Sequence, residues 1–542
     1  MLDSFPVLSF IVLAPLVGAL IIQFMPKQRS SWIRGTAVLF TLIPLALTLW
    51  LFAAYEPGTG GSSYTEHATW LSIPLNTELR LQEQGVLSLK LLFDYHLAVD
   101  GISLPLLFLT AIVATMSALA STHIRKRWKT YYSLFLLLEA GMFGVFLARD
   151  LVLFFVFFEL TLIPMFFLIG IWGYFGREKA ANRFLIYNGL GSAAMLLAFL
   201  MLIATLGFGF TETANGAHLT FSGNYDVLLH NASDPQALAN VTVEQGGIAG
   251  FFLSDPMKWS ALLLLLFAFG VKIPIFPFHT WMLRVHTEAP PPVVMIHSGV
   301  LLKMGVYGLI RFGAFLLPAQ MESMTTALAV LGVVNILYGA ILACVQKEFK
   351  LVLAYSSISH MGIVLLGIAS LNEIGLQGAL YQSISHGLIS ALLFLLVGCL
   401  YERTGTTELD QLGGLARSVP FLSGILLVGG LASLGLPGLS GFVGEFLSFL
   451  GLFGSMKWLT AIGVLGILFA AVYILRSILS ITYGPLPEKL KGIQDARFIE
   501  AVPMVALVAL IVLLGVYPSI LTNLMQHGFH GLVEQLQSRS GG

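Results

Sequence analysis

Seven ionisable side chains stand inside long apolar runs: Glu139, Glu159, Lys272, Lys303, His360, His386 and Glu445. A charge at hydrocarbon depth costs about 2.5–3.5 kcal/mol on insertion scales, so residues of this kind mark ion or proton pathways by default. Lys272 is the sharpest case. It lies in Gly-Val-Lys-Ile-Pro-Ile-Phe-Pro277, within the apolar run from Trp259 to Met282, beside two prolines. Each proline deletes a backbone donor that lipid cannot replace, which predicts a discontinuous helix around a polar cavity. Glu159, in Phe-Phe-Val-Phe-Phe-Glu-Leu-Thr-Leu-Ile-Pro, has no neutralising neighbour in sequence. It is either protonated or faces a cation on another helix, and Lys272 is the candidate. A frozen ion pair that fixes packing is the bland alternative. The reactive alternative is a lysine whose hold on its proton is switched as the carboxylate approaches and withdraws.

Lys303, in Ser-Gly-Val-Leu-Leu-Lys-Met-Gly, sits deep in its apolar run among small residues that leave room for water, and reads as a further proton stop. The competing expectation is a lysine snorkelling to the interface. His360, in Tyr-Ser-Ser-Ile-Ser-His, and His386, in Gln-Ser-Ile-Ser-His, each follow serines, so hydroxyls and imidazole could hold a water chain. Either histidine alone could be a satisfied structural residue; two on neighbouring helices favour a relay. Glu445 follows the break Gly435-Leu-Pro-Gly438 and reads as an exit group, with helix capping as its alternative. Glu139, mid-run in Leu-Leu-Leu-Glu-Ala-Gly, is a secondary carboxylate candidate. Asp94, His96 and Asp100, at an outer mouth, read as solvated caps. No thiolate pair or His-x-x-x-His spacing accompanies these groups, so no metal is expected.

Composition fixes the setting. Of 542 residues 57% are hydrophobic and only 10% charged, which describes a polytopic membrane protein. Lys plus Arg equals Asp plus Glu at 28 each, so bulk charge argues against nucleic acid as a partner. Cys344 and Cys399 lie in apolar runs without the spacing of a redox cluster, so no cofactor is expected in this chain. The first apolar run has no basic segment before it and reads as a retained span rather than a signal peptide.

Apolar stretches long enough to cross the bilayer predict an all-α polytopic fold of about fourteen transmembrane helices. They fall near residues 4–24, 32–54, 98–121, 131–148, 150–172, 184–206, 259–282, 289–313, 322–346, 350–371, 374–401, 419–452, 458–483 and 500–523. Basic residues such as Arg125 to Arg127, Arg177, Arg183, Arg284, Lys347 and Lys350 cluster in alternate loops, which the positive-inside rule places in the cytoplasm, with both termini outside. Two long polar segments, 54–96 and 208–257, then lie on the outer side. The breaks at Lys272 and Gly435 fall about five helices apart, an odd offset that predicts two inverted five-helix repeats, each with a broken helix. The chain therefore divides as a single membrane domain, 1–542: three N-terminal helices in 1–121, repeats in 131–313 and 322–483, and a last helix and tail in 484–542.

Phe158-Glu-Leu-Thr-Leu-Ile-Pro164 and Val271-Lys-Ile-Pro-Ile-Phe-Pro-Phe-His-Thr-Trp281 closely resemble the antiporter-like subunits of proton-pumping NADH:quinone oxidoreductase, respiratory complex I. The resemblance continues through Thr287-Glu-Ala-Pro290, Leu302-Lys-Met-Gly-Val-Tyr-Gly308, Leu353-Ala-Tyr-Ser-Ser-Ile-Ser-His-Met-Gly362 and Ser385-His-Gly387, and covers nearly the whole chain outside the two outer segments. Glu445 makes it similar to the M-type subunits, homologues of mitochondrial subunit 4, because the related L and N types and the D-type chains of multisubunit cation/proton antiporters typically carry lysine there. The resemblance implies Glu159 and Lys272 as a coupling pair, Lys303 as the central lysine, His360 and His386 as a relay and Glu445 as the terminal site. It implies FMN, iron-sulfur clusters and quinone in other subunits. It also implies a place in a bacterial plasma membrane beside two related antiporter-like subunits. The rival reading is a D-type cation/proton antiporter subunit.

Overall fold

A computed structural model describes residues 6–56, 64–75, 86–213, 216–237, 239–241 and 253–540. Parts of the outer segments expected at 54–96 and 208–257, namely 57–63, 76–85, 214–215, 238 and 242–252, lie outside the described residues. Among the described residues twelve helices are long and apolar enough to cross a membrane. In chain order the elements begin with α1 (Val7–Phe24), α2 (Ser30–Ala54), β1 (Tyr64–Pro74), β2 (Val86–Val99), α3 (Ser103–Ala120), α4 (Trp128–Leu147), α5 (Leu151–Trp172) and α6 (Arg177–Thr205). After β3 (Phe208–Thr213), β4 (Gly216–Ser222) and the short α7 (Tyr225–Ser233) comes the first interrupted helix, α8 (Asp255–Lys272) with α9 (Thr280–Glu288). Next are α10 (Pro291–Ala314), α11 (Thr325–Val345), α12 (Phe349–Ala369) and α13 (Glu373–Thr404). The second interrupted helix is α14 (Pro420–Ser433) with α15 (Ser440–Phe453), followed by α16 (Lys457–Thr482), α17 (Phe498–Val516) and α18 (Ser519–Ser540).

Burial sorts these helices into two classes. The apolar windows of α10 and α13 are wholly enclosed, whereas α2, α16 and α17 leave most of theirs uncovered. Uncovered Leu, Ile, Val and Phe side chains on long helices are what lipid requires, because tails solvate them as well as a protein core does. Both enclosed helices carry polar groups at depth, Lys303 on α10 and His386 on α13. α13 is long because nothing in it stops a helix: Asn372 caps its start by accepting from the Gly375 amide, and Gly405, at φ 73°, ends it. α4 packs on α5, α6 on α8, α11 on α12, and α13 on α15, while α10 lies against α8 and α13 and so joins the two halves.

Beside the helical membrane fold the chain carries one sheet. The two outer segments pair into a single four-stranded sheet of order β1-β2-β4-β3. β2 runs antiparallel to β1 and parallel to β4, with Leu89 opposite Leu219 and Leu92 opposite Ser222. Extended chains leaving helix ends have unpaired backbone groups, and pairing across the two segments satisfies them. Helix three accordingly starts at Ser103 rather than near residue 98. The expectation of Asp94, His96 and Asp100 as solvated caps holds only for the capping: Asp100 accepts from the Ile102 and Ser103 amides, but Asp94 and His96 are buried within β2. The C-terminal tail is also structured. Tyr517 and Pro518 separate α17 from α18, whose Leu521, Leu524, Met525, Phe529 and Leu532 are buried.

Candidate functional site

The first break places Lys272 as the last residue of α8, where a cation meets the negative end of the helix dipole. Its buried ammonium stands 4.8 Å from the centre of the Phe158 ring and 5.8 Å from that of Phe184. Glu159, next to Phe158, is the carboxylate whose charge acts on Lys272. The two make no direct salt bridge among the described residues, and Glu159 Oε1 is buried without a hydrogen-bond partner there. The pair is thus not locked by direct contact. The loop from Ile273 to His279 is held by the second half of the molecule: Phe276 N donates to Asn335 Oδ1 at 2.8 Å and Asn335 Nδ2 to the Pro274 carbonyl at 3.4 Å. Asn335 lies on α11 and is fully buried, so it restores the pairing that the prolines remove.

α10 crosses this break at Gly305. A β-carbon there would meet the Phe269 carbonyl at 2.9 Å and Lys272 Cβ at 3.0 Å, so only glycine allows the approach. Two turns of α10 are wide π turns, His297–Leu301 and Leu309–Ala314, and such turns recur at functional sites. The first exposes the Ser298 carbonyl, which accepts from Lys303 Nζ. Lys303 is fully buried, which removes the snorkelling alternative. Its other partner is His386 Nδ1, 2.8 Å away on α13.

From His386 the polar groups continue without a gap in packing. The rings of His386 and His360 lie 5.5 Å apart, centre to centre. His360 Nδ1 faces Glu445 Oε1 at 3.4 Å and Gln382 Nε2 at 3.3 Å, and its Nε2 faces Ser433 Oγ at 3.4 Å. Glu445 lies in the second turn of α15, beyond the free amides, so it does not cap the half-helix. Its carboxylate instead rests on Gly435, φ 78°, where an added β-carbon would come within 2.5 Å of Oε2. The second break therefore makes the space that the buried acid occupies.

The structure brings Lys303, His386, His360 and Glu445 into one string and leaves Lys272 and Glu159 as a separate, indirectly coupled pair. Glu139 joins neither. It is fully buried and both its oxygens lack partners among the described residues. The serines expected beside the histidines are engaged elsewhere: Ser359 donates to the Ile336 carbonyl and Ser385 bonds Ser440 at 2.7 Å. The hydroxyl that does meet His360 is Ser433, from α14.

Sequence reasoning missed Gln382, Ser433, Asn335 and a pair of buried histidines. His286 Nε2 and His297 Nδ1 lie 3.0 Å apart, between α9 and the first wide turn of α10. The signal was present, since His297 stands inside the eighth apolar run. It also missed two polar assemblies at opposite ends of the bundle. On the face of the basic loops, Arg183, Arg284, Glu288, Lys350, Tyr174 and Tyr401 line a cavity of about 590 Å³, with Lys350 Nζ 3.9 Å from the Tyr174 ring centre. On the sheet face, Asp100 pairs with Arg149 at 2.7 Å and with the buried Arg311. Burial would push the Asp100 carboxyl up, but the two guanidinium charges outweigh it and hold it below the usual carboxylate range. Among the described residues no group of three His, Cys, Asp or Glu could hold a metal ion.

Residues 148–470 match the family model described as NADH:quinone oxidoreductase/Mrp antiporter, TM. The chain is 37% identical to NAD(P)H-quinone oxidoreductase chain 4 1 of Synechococcus sp. (strain JA-2-3B'a(2-13)), over 99% of this chain and 94% of that protein. It is 35% identical to NADH-quinone oxidoreductase subunit M of Rhodobacter capsulatus, over 98% of each. Among solved structures it is similar to a chain of respiratory complex I from Thermus thermophilus with bound NADH, at 29% identity and a TM-score of 0.78, over 97% of this chain and 99% of that one. A chain of the Mrp complex from Dietzia sp. DQ12-45-1b shares the fold, at 21% identity and a TM-score of 0.77 over 98% of each. A string of buried bases and acids that ends at the second broken helix is thus built on the scaffold these proteins share, and the chain belongs to the NADH:quinone oxidoreductase/Mrp antiporter membrane family, in its subunit M or chain 4 branch.

Proposed function

We propose that this chain is a proton-translocating antiporter-like subunit of a NADH:quinone oxidoreductase, moving protons through buried lysine, histidine and glutamate while redox chemistry proceeds in other subunits. The observation that carries this reading is the contact string Lys303, His386, His360, Glu445, each within hydrogen-bond or ring-contact range of the next. These residue types both accept and release protons, which a structural network of amides and hydroxyls would not do. Glu159 and Lys272 act ahead of the string, as an indirectly coupled pair whose separation sets where the proton rests.

The driving energy comes from partners. Moving one charge against 100 mV takes about 2.3 kcal/mol, and the chain's own groups are acids, bases and apolar side chains. Flavin, iron-sulfur clusters and quinone belong to the other subunits in this reading, and the two related antiporter-like subunits are the neighbours in the membrane. The chain sits in a bacterial plasma membrane with the sheet and both termini outside. Residues 131–313 and 322–483 act as inverted repeats, each owning one break. The Mrp half of the family name keeps a second reading, sodium-linked exchange without an electron donor.

The test is Lys272→Met in the whole complex, reconstituted in vesicles, with proton release counted against quinol formed. A reduced proton yield is expected; an unchanged yield removes Lys272 from the path. Sodium-dependent proton exchange in vesicles given no electron donor would favour the second reading.

A further inference from the structure

His360 Nδ1 has two neighbours that cannot both be served. Gln382 Nε2 lies 3.3 Å from it and Glu445 Oε1 3.4 Å. The amide nitrogen only donates and needs a bare Nδ1, whereas the ionised carboxylate only accepts and needs Nδ1–H. At the other side of the ring, Nε2 lies 3.4 Å from Ser433 Oγ, and a hydroxyl serves either state because it both donates and accepts. Gln382 is therefore the neighbour that chooses against the bond to Glu445. Packing fixes its place. It is buried one turn before His386 on α13, and its amide lies against Gly444, where an added β-carbon would come within 2.5 Å of Oε1. Oε1 has no hydrogen-bond partner among the described residues. An amide turned the other way would leave two N–H groups unpaired in place of that oxygen. Further polar neighbours are His386 on α13 and, on α16, Tyr473, which feels the Glu445 charge while its hydroxyl is donated to Ser356 Oγ at 2.9 Å.

We propose that Gln382 sets the tautomer of His360: by donating to Nδ1 it keeps the neutral ring's hydrogen on Nε2, and so leaves the Glu445 carboxylate without a bond from that ring until a proton arrives. The proposal rests on the proton-path reading above and makes Gln382 a positioning residue that acts through His360. A proton coming from His386 finds one lone pair on the ring, at Nδ1. The new Nδ1–H bond displaces the amide and points to Glu445 Oε1. That N–H bond then breaks, an O–H bond forms on Glu445, and Gln382 donates again to the lone pair left on Nδ1. One proton enters, one leaves, both through the same nitrogen, and His360 ends in the tautomer from which it began.

The ring then needs no reset between protons. Without the amide, the neutral ring could carry its hydrogen on Nδ1 and bond the carboxylate continuously. A carboxylate so bonded is stabilised in its charged form and takes up a proton less readily. The ring's lone pair would also move to Nε2, the nitrogen that faces Ser433, so an arriving proton would land on the side turned from the acid.

Infrared difference spectra of the whole complex read both the ring and the carboxyl. At a pH where the ring is neutral, the unsubstituted complex is compared with His360→Gln, whose missing ring bands report the tautomer. Hydrogen on Nε2 is expected; hydrogen on Nδ1 overturns the proposal with no change made at residue 382. The carbonyl band of protonated Glu445, identified by its loss in Glu445→Gln, is then titrated in Gln382→Met, or in Gln382→Leu should the methionine variant fail to assemble. Its midpoint is expected to fall by about 0.7 of a pH unit, the roughly fivefold change that one net hydrogen bond is worth. An amide that only fills space would not move it, so an unmoved midpoint, or the absence of a titrating band, overturns the proposal. Protons released per quinol by Glu445→Gln in vesicles test the path separately: full yield there removes the path reading and leaves the tautomer result standing.

Discussion

Lys303 Nζ and His386 Nδ1 meet at 2.8 Å where the two enclosed helices, α10 and α13, cross. The contact joins the first broken-helix half of the molecule to the second, and Lys303 has the Ser298 carbonyl as its only other partner in the described residues. A fixed cation would suit that carbonyl equally well as arginine. A proton carrier would not, because guanidinium does not release its proton. Lys303→Arg and Lys303→Met are therefore expected to fail alike, lowering proton yield about tenfold or more. Pumping assays in reconstituted complex check this, and restoration by arginine would recast Lys303 as a structural charge.

Lys272 lies against the Phe158 ring, and Glu159, the next residue on that helix, makes no direct salt bridge to it among the described residues. Breaking a locked buried pair costs about 3–5 kcal/mol, because one charge is left uncompensated. Here the lysine already lacks a carboxylate in contact, so Glu159→Gln is expected to change the stability of the complex by less than about 1 kcal/mol. Coupling should suffer all the same, with proton yield falling. Thermal unfolding and vesicle pumping measured on the same preparation separate the two effects.

The buried groups, the two breaks and the helical membrane fold were legible because hydrocarbon makes each of them costly: a lysine or a Pro-x-x-Pro in an apolar run declares itself. What could not be read was which atoms meet. Ser359 and Ser385 precede the histidines in sequence, yet their hydroxyls turn to the Ile336 carbonyl and to Ser440, and His360 takes Ser433 from another helix. One turn of rotation decides such pairings, and it is set by packing between helices. The outer sheet was invisible for a related reason. Its two antiparallel strand pairs join across more than a hundred residues, Leu89 opposite Leu219 for example, and neither segment alternates strongly enough to announce a strand.

Asn335 ties the first break to α11 through the Phe276 amide and the Pro274 carbonyl. Asn335→Leu leaves that amide buried and unpaired, at a cost of about 1–3 kcal/mol. Asn335→Asp keeps the acceptor and is expected to be milder. Hydrogen exchange across residues 273–279 should rise in the leucine variant and change little in the aspartate one. Equal exchange in both would mean that the break is held by other contacts.

Asp150 caps α5, accepting from the Val152 and Leu153 amides, beside Asp94 and the bridge to Asn224 that anchors the sheet. Burial pushes its carboxyl up to about 6 against those amides, and the neighbouring Asp94 charge adds to the rise. A carboxyl raised in the folded state binds its proton more tightly there than when unfolded. Its contribution is therefore full below its ordinary value near 3.8 and is lost as pH climbs through about 6. The junction of sheet and bundle should loosen over that window. Asp150→Asn keeps one capping oxygen without the charge, so hydrogen exchange at residues 94–99 and 223–226 is expected to lose its rise between pH 4 and pH 7 in the variant. A rise beyond that of free amides that persists in Asp150→Asn would mean that this carboxyl is not its source.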